Sequence, residues 1–189
     1  MTSGSGGPRE PGRASLDASA PQLVLAGRST LSTSVRQTLN DSGLASRILV
    51  RQDVDRNELA DLYRGAFVYL QTSQEEGFGM SVIEAMASGL PVAATDTAGA
   101  RECVIDGTTG WLVRQDSEHM IPMVLAERVR DILAGSGRAM AVAARERCQQ
   151  TFSVDATLAR LTAVYDTLLT PGEPFPLTGR PPTCGDRPR

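Results

Sequence analysis

The chain has 189 residues and a formal net charge of −3, with 41% hydrophobic and 22% charged residues. These values are typical of one ordinary globular domain, and the acidic balance excludes a broad cationic surface for nucleic acid. All 19 basic residues are arginines, which excludes mechanisms that need a lysine in this chain, such as a Schiff base or a P-loop lysine.

The two ends of the chain offer little for a core to bury. Residues 1–21 are rich in Gly, Ser, Pro and Ala, and residues 171–189 hold six of the eleven prolines. Such compositions predict a disordered tail at each end. We therefore expect the folded domain to span residues 22–170.

Short apolar runs alternate with helical patterns through this central part. The predicted strands are Leu23–Ala26, Arg47–Val50, Phe67–Leu70, Pro91–Thr95 and Trp111–Val113. The predicted helices are Ser32–Asp41, Asn57–Arg64, Ser81–Ser88, a short one near Arg101–Val104, and three at about 118–134, 137–149 and 155–169. Strands without polar alternation, separated by helices, indicate a parallel sheet covered on both faces. The predicted fold is a doubly wound, Rossmann-like α/β domain.

In such sheets ligands bind beyond the carboxyl ends of the strands, so the loops at 27–31, 51–56, 71–80 and 95–100 are the places to examine. The third loop carries the strongest pattern, because Gly77 and Gly79 flank one aromatic residue at the start of a helix. Glycines let a ligand approach the backbone, and the first amides of a helix have no internal partners. Together with the helix dipole, they predict a site for a diphosphate.

The stretch EGFGMSVIEAMASGLPVAATDTAGARECVIDGTTGWLV resembles the donor-site signature of the GT-B retaining glycosyltransferases, above all glycosyltransferase family 4. Its hallmark is two glutamates separated by seven residues, here Glu76 and Glu84, with Gly-Phe-Gly after the first. LVLAG, NELADLYRGAFVYLQTS and TFSVDATLARLTAVYDTLL also resemble family segments, although Val154 stands where an aromatic residue is common. The resemblance covers residues 22–170.

The resemblance implies a role for each residue of the loop. Glu76 would face the donor sugar and accept hydrogen bonds from its hydroxyls, a task that suits an acceptor-only carboxylate. Glu84 would accept the ribose hydroxyls. The backbone amides at the helix mouth would hold sugar and diphosphate oxygens; the substrate-binding residues there are Gly77, Phe78, Gly79, Met80 and Ser81.

Two alternatives stay open at the glutamates. Ser81 and Glu84 also have the spacing of a helix capping box, with Ser81 as N-cap and Glu84 at the third helical position. That structural role and the ligand role of Glu84 are compatible. Glu75 is interpreted as a solvated loop acid, and Glu76 is preferred to it on register alone.

Other candidates carry weaker patterns. Arg28 follows the first strand and could meet a phosphate, although an exposed arginine needs no function. The loop from Arg51 to Val54 is placed to contact a nucleotide base. Asp53 and Asp55 form an Asp-x-Asp pair, which is the metal-binding motif of the other glycosyltransferase architecture. Because the resemblance to GT-B enzymes implies a reaction without a metal ion, we expect no metal site. We also expect no cofactor, since the nucleotide sugar is the donor substrate.

Three further features have an ordinary structural interpretation. His119, the only histidine, is expected at the surface. The loop at 95–99 could touch the sugar or only cap the short helix. Cys103 is expected in the core rather than as a nucleophile.

The resemblance implies transfer of a sugar from a nucleoside diphosphate with retention of configuration. It begins one strand-loop unit later than a full donor domain, so the acceptor domain and a basic Arg/Lys clamp are expected to be missing. A separate acceptor-domain chain could supply both. One alternative is a non-catalytic nucleotide-sugar-binding module or a truncated pseudoenzyme. Another is a different GT-B-like enzyme, such as an epimerase or phosphorylase, but the Gly-Phe-Gly turn argues against it.

The cysteines and the hydropathy bear on location. Cys103, Cys148 and Cys184 show no CxxC spacing, so neither a disulfide framework nor a zinc site is indicated. No apolar run approaches a membrane span, and residues 1–15 lack the apolar stretch of a signal peptide. We expect a cytoplasmic protein without an integral membrane segment.

Overall fold

A computed structural model describes residues 22–27, 31–116 and 119–169. The chain divides into two compact units, with the boundary between Arg56 and Asn57, and each is described by itself. The predicted tails at 1–21 and 171–189, and the candidate Arg28, lie outside the described residues.

The first unit contains one strand-helix-strand motif. Strand β1 (Leu23–Gly27) pairs in parallel with strand β2 (Ile48–Gln52), from Leu23 opposite Ile48 to Gly27 opposite Gln52. Helix α1 (Thr33–Asp41) and a single 3₁₀ turn at Ala45–Arg47 connect them. Ser32 caps α1 because its Oγ accepts a hydrogen bond from the amide of Val35 at 3.3 Å, which satisfies one of the unpaired donors of the first turn.

The second unit contains a three-stranded parallel sheet in the order β3-β4-β5. Its strands are β3 (Tyr69–Gln71), β4 (Val92–Thr95) and β5 (Gly110–Val113). Helix α2 (Arg56–Gly65) begins at the boundary residue, and the helices that follow are α3 (Met80–Ala87), α4 (Ala98–Cys103), α5 (Ile121–Asp131), α6 (Gly137–Phe152) and α7 (Val154–Leu169). A π-type turn at Ile132–Ser136, with Gly135 at φ 152°, joins α5 to α6.

Strand β4 is the centre of the core, and all four of its residues are buried. Successive side chains of a strand point to opposite faces. Val92 and Ala94 accordingly join a cluster with residues of α3, α4 and α6, whereas Ala93 joins a second cluster with residues of α5. Helices therefore cover both faces of this parallel sheet, which confirms the predicted Rossmann-like α/β class.

Several predicted boundaries are shifted in the structure. The predicted strand at Phe67 begins at Tyr69 instead, and Phe67 is 81% exposed. The predicted helix near Arg101 begins earlier, at Ala98, because the Thr97 side chain caps it by accepting from the amide of Ala100 at 3.1 Å. Among the described helices, none is both long enough and apolar enough to cross a membrane.

Candidate functional site

The loop between β3 and α3, residues 72–79, leaves the carboxyl end of the sheet and is anchored along its length. Four of its backbone carbonyls accept hydrogen bonds from groups at the ends of β4 and β5 and in α4. The bonds are Thr95 Oγ1 to Ser73 O at 2.5 Å, Gln115 Nε2 to Gln74 O at 3.2 Å, Gly99 N to Glu76 O at 3.1 Å, and Cys103 Sγ to Phe78 O at 3.3 Å. The loop is therefore held in one shape before any ligand arrives.

Two glycines allow this loop to lie directly on α4. A Cβ atom on Gly99 would come within 2.9 Å of both the amide nitrogen of Gly79 and the carbonyl carbon of Phe78. Gly79 has a φ of 77°, in the left-handed region that favours glycine. Gly79 of the Gly-Phe-Gly turn is thus needed for backbone-to-backbone contact with α4, in addition to any contact with a ligand.

The mouth of α3 differs from the sequence prediction. The N-cap is Gly79, and within the described residues no side chain caps this helix, so the interpretation of Ser81 as N-cap was wrong. The helix begins one residue earlier than predicted because Gly79 adopts the left-handed conformation and its carbonyl accepts from Ile83 N at 3.1 Å. Glu84 consequently lies beyond the capping-box position. The amides of Met80 and Ser81 belong to the first turn, whose N–H groups have no partners within the helix.

The side chains of Phe78 and Met80 line this mouth on its outer side. They are 53% and 55% exposed, although both are large and apolar. Phe78 packs edge-on against Phe152, with ring centroids 6.5 Å apart. An apolar rim around unpaired amides suits a ligand that combines a flat or apolar part with an anionic part.

The two glutamates are held by different neighbours in the same region. Gln71 Nε2 donates a hydrogen bond to Glu76 Oε2 at 2.9 Å. The hydroxyl of Tyr63 lies 3.5 Å from Glu84 Oε2 and 3.4 Å from the carbonyl oxygen of Ser81. Burial, reinforced by the charges of Tyr69 and Glu84, raises the pKa of Tyr63, so this hydroxyl stays protonated and can donate to the carboxylate.

Tyr69 links the two carboxylates electrostatically. Burial raises its pKa, the charges of Glu76 and Glu84 raise it further, and a hydrogen bond with Ser81 acts in the opposite direction. The charges of both carboxylates therefore raise the pKa of the same hydroxyl. The sequence analysis missed both Tyr63 and Tyr69, because their partners lie 7 to 21 residues further along the chain and local spacing gave no signal for these contacts.

The weaker candidates fall in several places. Val54 is half-buried in the loop after β2 and belongs to the first unit, as do Asp53 and Asp55. Asp53 has a φ of 51°, and its amide donates to the carbonyl of Gly27 at 3.1 Å. No cluster of three or more His, Cys, Asp or Glu side chains suited to a metal ion occurs in the parts of the chain that the structure describes.

Three other predictions concern residues of the second unit. His119 and Glu75 are exposed, as expected for surface residues. Cys103 is completely buried in the core cluster, and burial raises the pKa of its thiol to about 11. A thiol that stays protonated is a poor nucleophile, so the core assignment of Cys103 is confirmed.

A parallel α/β domain with a glycine-containing strand-to-helix loop at the carboxyl end of its sheet has the Rossmann-like architecture, in which nucleotides bind at such loops. The family model for group 1 glycosyl transferases matches residues 14–150. The chain belongs to this family of glycosyltransferases.

Individual relatives agree with this assignment. A D-inositol 3-phosphate glycosyltransferase of Xylanimonas cellulosilytica is 35% identical over 147 residues, which cover 76% of this chain and 34% of that protein. The fold is similar to that of the pneumococcal O-GlcNAc transferase GtfA in complex with UDP and GlcNAc, with a TM-score of 0.67, 21% identity, and coverage of 79% of this chain and 30% of that one.

A third match concerns a single domain. The chain is similar to the C-terminal domain of LpcC, a group 1 glycosyl transferase family protein from Francisella tularensis, with a TM-score of 0.55, 26% identity, and coverage of 64% of this chain and 62% of that one. The chain thus spans about a third of the length of the Xylanimonas relative and most of the length of an isolated C-terminal domain.

Proposed function

We propose that this chain binds a nucleoside-diphosphate sugar at the mouth of α3 and acts as the donor-binding domain of a retaining glycosyltransferase. The observation that supports this most is the anchored loop 72–79, which carries Glu76 and leads into the helix that carries Glu84. An anionic ligand is favoured at this helix end by the dipole and by the unpaired first-turn amides.

Each part of the site has a distinct task in this proposal. Glu76 accepts hydrogen bonds from the sugar hydroxyls and orients the sugar rather than attacking it. Glu84 accepts the ribose hydroxyls, and the amides of residues 77–81 hold sugar and diphosphate oxygens. The main catalytic contribution is electrostatic, because oriented amides and the helix dipole stabilise the charge that develops on the departing diphosphate.

The roles of Val54 and Arg28, which belong to the first unit, stay predictions from the sequence. The chain contains no lysine, so any positive charge that this chain itself brings to the diphosphate comes from arginine.

The acceptor would be bound by another domain, which we propose to be supplied by a separate chain. Helix α7 has no buried residue and exposes one continuous apolar stripe, which a partner could cover. The stripe consists of Val154, Leu158, Leu161, Tyr165 and Leu168. Two buried free thiols, Cys103 and Cys148, agree with a reducing cytoplasm as the compartment.

Titration calorimetry with UDP-glucose and GDP-mannose tests the binding site. We expect Glu76→Ala and Glu84→Ala to weaken binding at least about 10-fold, since each removes a charged hydrogen-bond acceptor. Glu127→Ala, which removes an exposed glutamate of α5, is the matched control and should bind like the wild type. If the wild-type protein binds neither nucleotide sugar, or if all three variants bind with equal affinity, the proposed binding site is wrong.

A non-catalytic nucleotide-sugar-binding module is the second candidate. The two functions differ in turnover. Release of nucleoside diphosphate from the bound donor, measured with and without an acceptor-domain chain of the same family, separates them. Tight binding without release under either condition supports the module.

A further inference from the structure

Gln71 is an unusual residue for its position. It is the last residue of β3, within the sheet of the second unit, and only 5% of its surface is exposed. Its Nε2 atom donates to Glu76 Oε2 at 2.9 Å and lies 3.3 Å from Ser73 Oγ. A buried amide therefore holds the carboxylate that faces the sugar in the proposed function.

The other end of the same amide lacks a partner. Within the described residues, Gln71 Oε1 is buried and makes no hydrogen bond. An unsatisfied buried acceptor costs about 1–3 kcal/mol, and an apolar side chain of similar size would avoid that cost. Packing alone thus does not account for a glutamine here.

The orientation of the amide follows from its neighbours. Turning it by 180° would bring Oε1 against the carboxylate of Glu76, where two acceptors repel each other. In the observed orientation the N–H group serves Glu76 and the carbonyl is left unpaired. The hydrogen bond that fixes the Glu76 carboxylate therefore leaves Gln71 Oε1 unsatisfied.

We propose that Gln71 is a positioning residue, which holds Glu76 by its Oε2 atom and leaves the second oxygen to accept hydroxyls of the donor sugar. This inference rests on the proposed function, because it concerns the sugar half of the same site. Gln71 itself does not touch the donor. Its contribution is confined to the sugar and does not extend to the nucleoside diphosphate, which is held by the helix mouth.

The first experiment compares two ligands on one variant. In Gln71→Leu we expect the affinity for UDP-glucose or GDP-mannose, whichever the wild type prefers, to fall about 10-fold, since a charge-assisted hydrogen bond is lost. The affinity for UDP or GDP alone should remain unchanged. If Gln71 had a purely structural role, its substitution would instead lower the affinities for the sugar nucleotide and for UDP or GDP together.

The second experiment uses pH as the readout. In Gln71→Glu, two carboxyl groups face each other within hydrogen-bond distance and cannot both ionise without repulsion. Sugar-nucleotide affinity should be weak at pH 8 and recover as the pH falls towards 5.5, because a shared proton restores a donor to Glu76. The wild type and Gln150→Glu, an exposed charge control on α6, should show a smaller dependence.

The outcomes separate the two proposals. Suppose that the wild type binds the sugar nucleotide and that Glu76→Ala lowers only this affinity. If Gln71→Leu then keeps the wild-type affinity, or loses affinity for the sugar nucleotide and the nucleoside diphosphate equally, the positioning role is wrong and the proposed function stands. If Glu76→Ala has no effect, the proposed function itself fails. Should Gln71→Leu not fold, the pH response of Gln71→Glu decides, and a response equal to that of Gln150→Glu contradicts the role.

Discussion

The two ends of the β3-β4-β5 sheet differ in their chemistry. At the carboxyl end, loop 72–79 brings glycine amides and Glu76 together on a frame of hydrogen bonds. At the amino end there is a cleft of about 290 Å³, lined mainly by apolar groups such as Ala66, Leu90 and Pro91. Ligand sites need a few convergent polar groups as well as space. The chemistry of the groups, more than the presence of a cleft, therefore distinguishes the end of the sheet at which we propose the donor to bind.

The largest effect on the carboxyl end of the sheet is expected from a substitution that separates loop 72–79 from α4. Gly99→Ala places a methyl group 2.9 Å from backbone atoms of Gly79 and Phe78, neither of which can move like a flexible side chain. We expect a loss of about 1–3 kcal/mol of unfolding free energy and a fall of roughly 100-fold in donor affinity. Chemical denaturation and calorimetry measure the two effects.

Gly65→Ala is the control for this change. It adds the same methyl group at the end of α2, where nothing lies within 4 Å, and should leave donor affinity unaltered. Donor binding by Gly99→Ala at the wild-type level would show that the contact between the loop and α4 does not shape the site.

Two buried threonines separate the effect of anchoring loop 72–79 from the effect of losing a buried hydrogen bond. Thr95 and Thr109 are 2% and 1% exposed, and each makes a side-chain hydrogen bond with backbone. Only Thr95 bonds to the site loop, through the carbonyl of Ser73. Both Thr→Val variants should lose about 1–2 kcal/mol of stability, but only Thr95→Val should weaken donor binding, by roughly 5-fold. Equal affinities in the two variants would argue that the anchor at Ser73 is irrelevant to the ligand.

The pH dependence of stability tests the thiol anchor beneath Phe78. Burial raises the pKa of Cys103 to about 11, whereas an unfolded cysteine titrates near about 8.5. Below the lower value the thiol is protonated in both states. As the pH rises from there towards 11, the unfolded state ionises first, so the free energy of unfolding falls, on the order of 1–2 kcal/mol by pH 10.

Urea denaturation at pH 7.5 and pH 10 measures this loss. Cys103→Ala should show a smaller difference between the two pH values than the wild type does, because the titrating thiol is gone. Identical differences in the two proteins would mean that Cys103 does not titrate in this range.

The smallest effect is expected at the opposite end of the sheet. Phe67 lines the apolar cleft and is 81% exposed. Phe67→Ala should change stability by less than about 0.5 kcal/mol and leave donor affinity unchanged. A clear loss of donor affinity in this variant would transfer the functional assignment to the amino end.

The order of strands and helices could be predicted because each element carries its own periodicity and boundary residues. The family could also be predicted, since Glu76, Glu84 and the Gly-Phe-Gly turn lie within one short segment. The N-terminus of α3 could not be predicted, because it depends on the left-handed conformation of Gly79, which packs against Gly99, 20 residues away in the chain. Local capping patterns therefore favoured Ser81 wrongly.

The immediate surroundings of the glutamates were likewise beyond prediction from spacing. Gln71 was assigned only as the first residue of a loop, although it is buried and bonded to Glu76. Tyr63 and Tyr69 approach Glu84 and Ser81 from the predicted helix Asn57–Arg64 and the predicted strand Phe67–Leu70, and neither tyrosine was among the predicted site residues. Such contacts depend on how elements pack, and a single sequence contains no direct signal for them.

The anchored carbonyls have a further geometric consequence. In a planar trans peptide the C=O and the following N–H point in opposite directions, and every peptide bond of the described residues is trans. The carbonyls of Glu76 and Phe78 are turned towards α4, so the N–H groups of Gly77 and Gly79 are turned away from their partners there. The hydrogen bonds that attach loop 72–79 to α4 therefore also set the direction of the N–H groups of Gly77 and Gly79. The same peptide planes serve both the attachment of the loop and the presentation of its N–H donors.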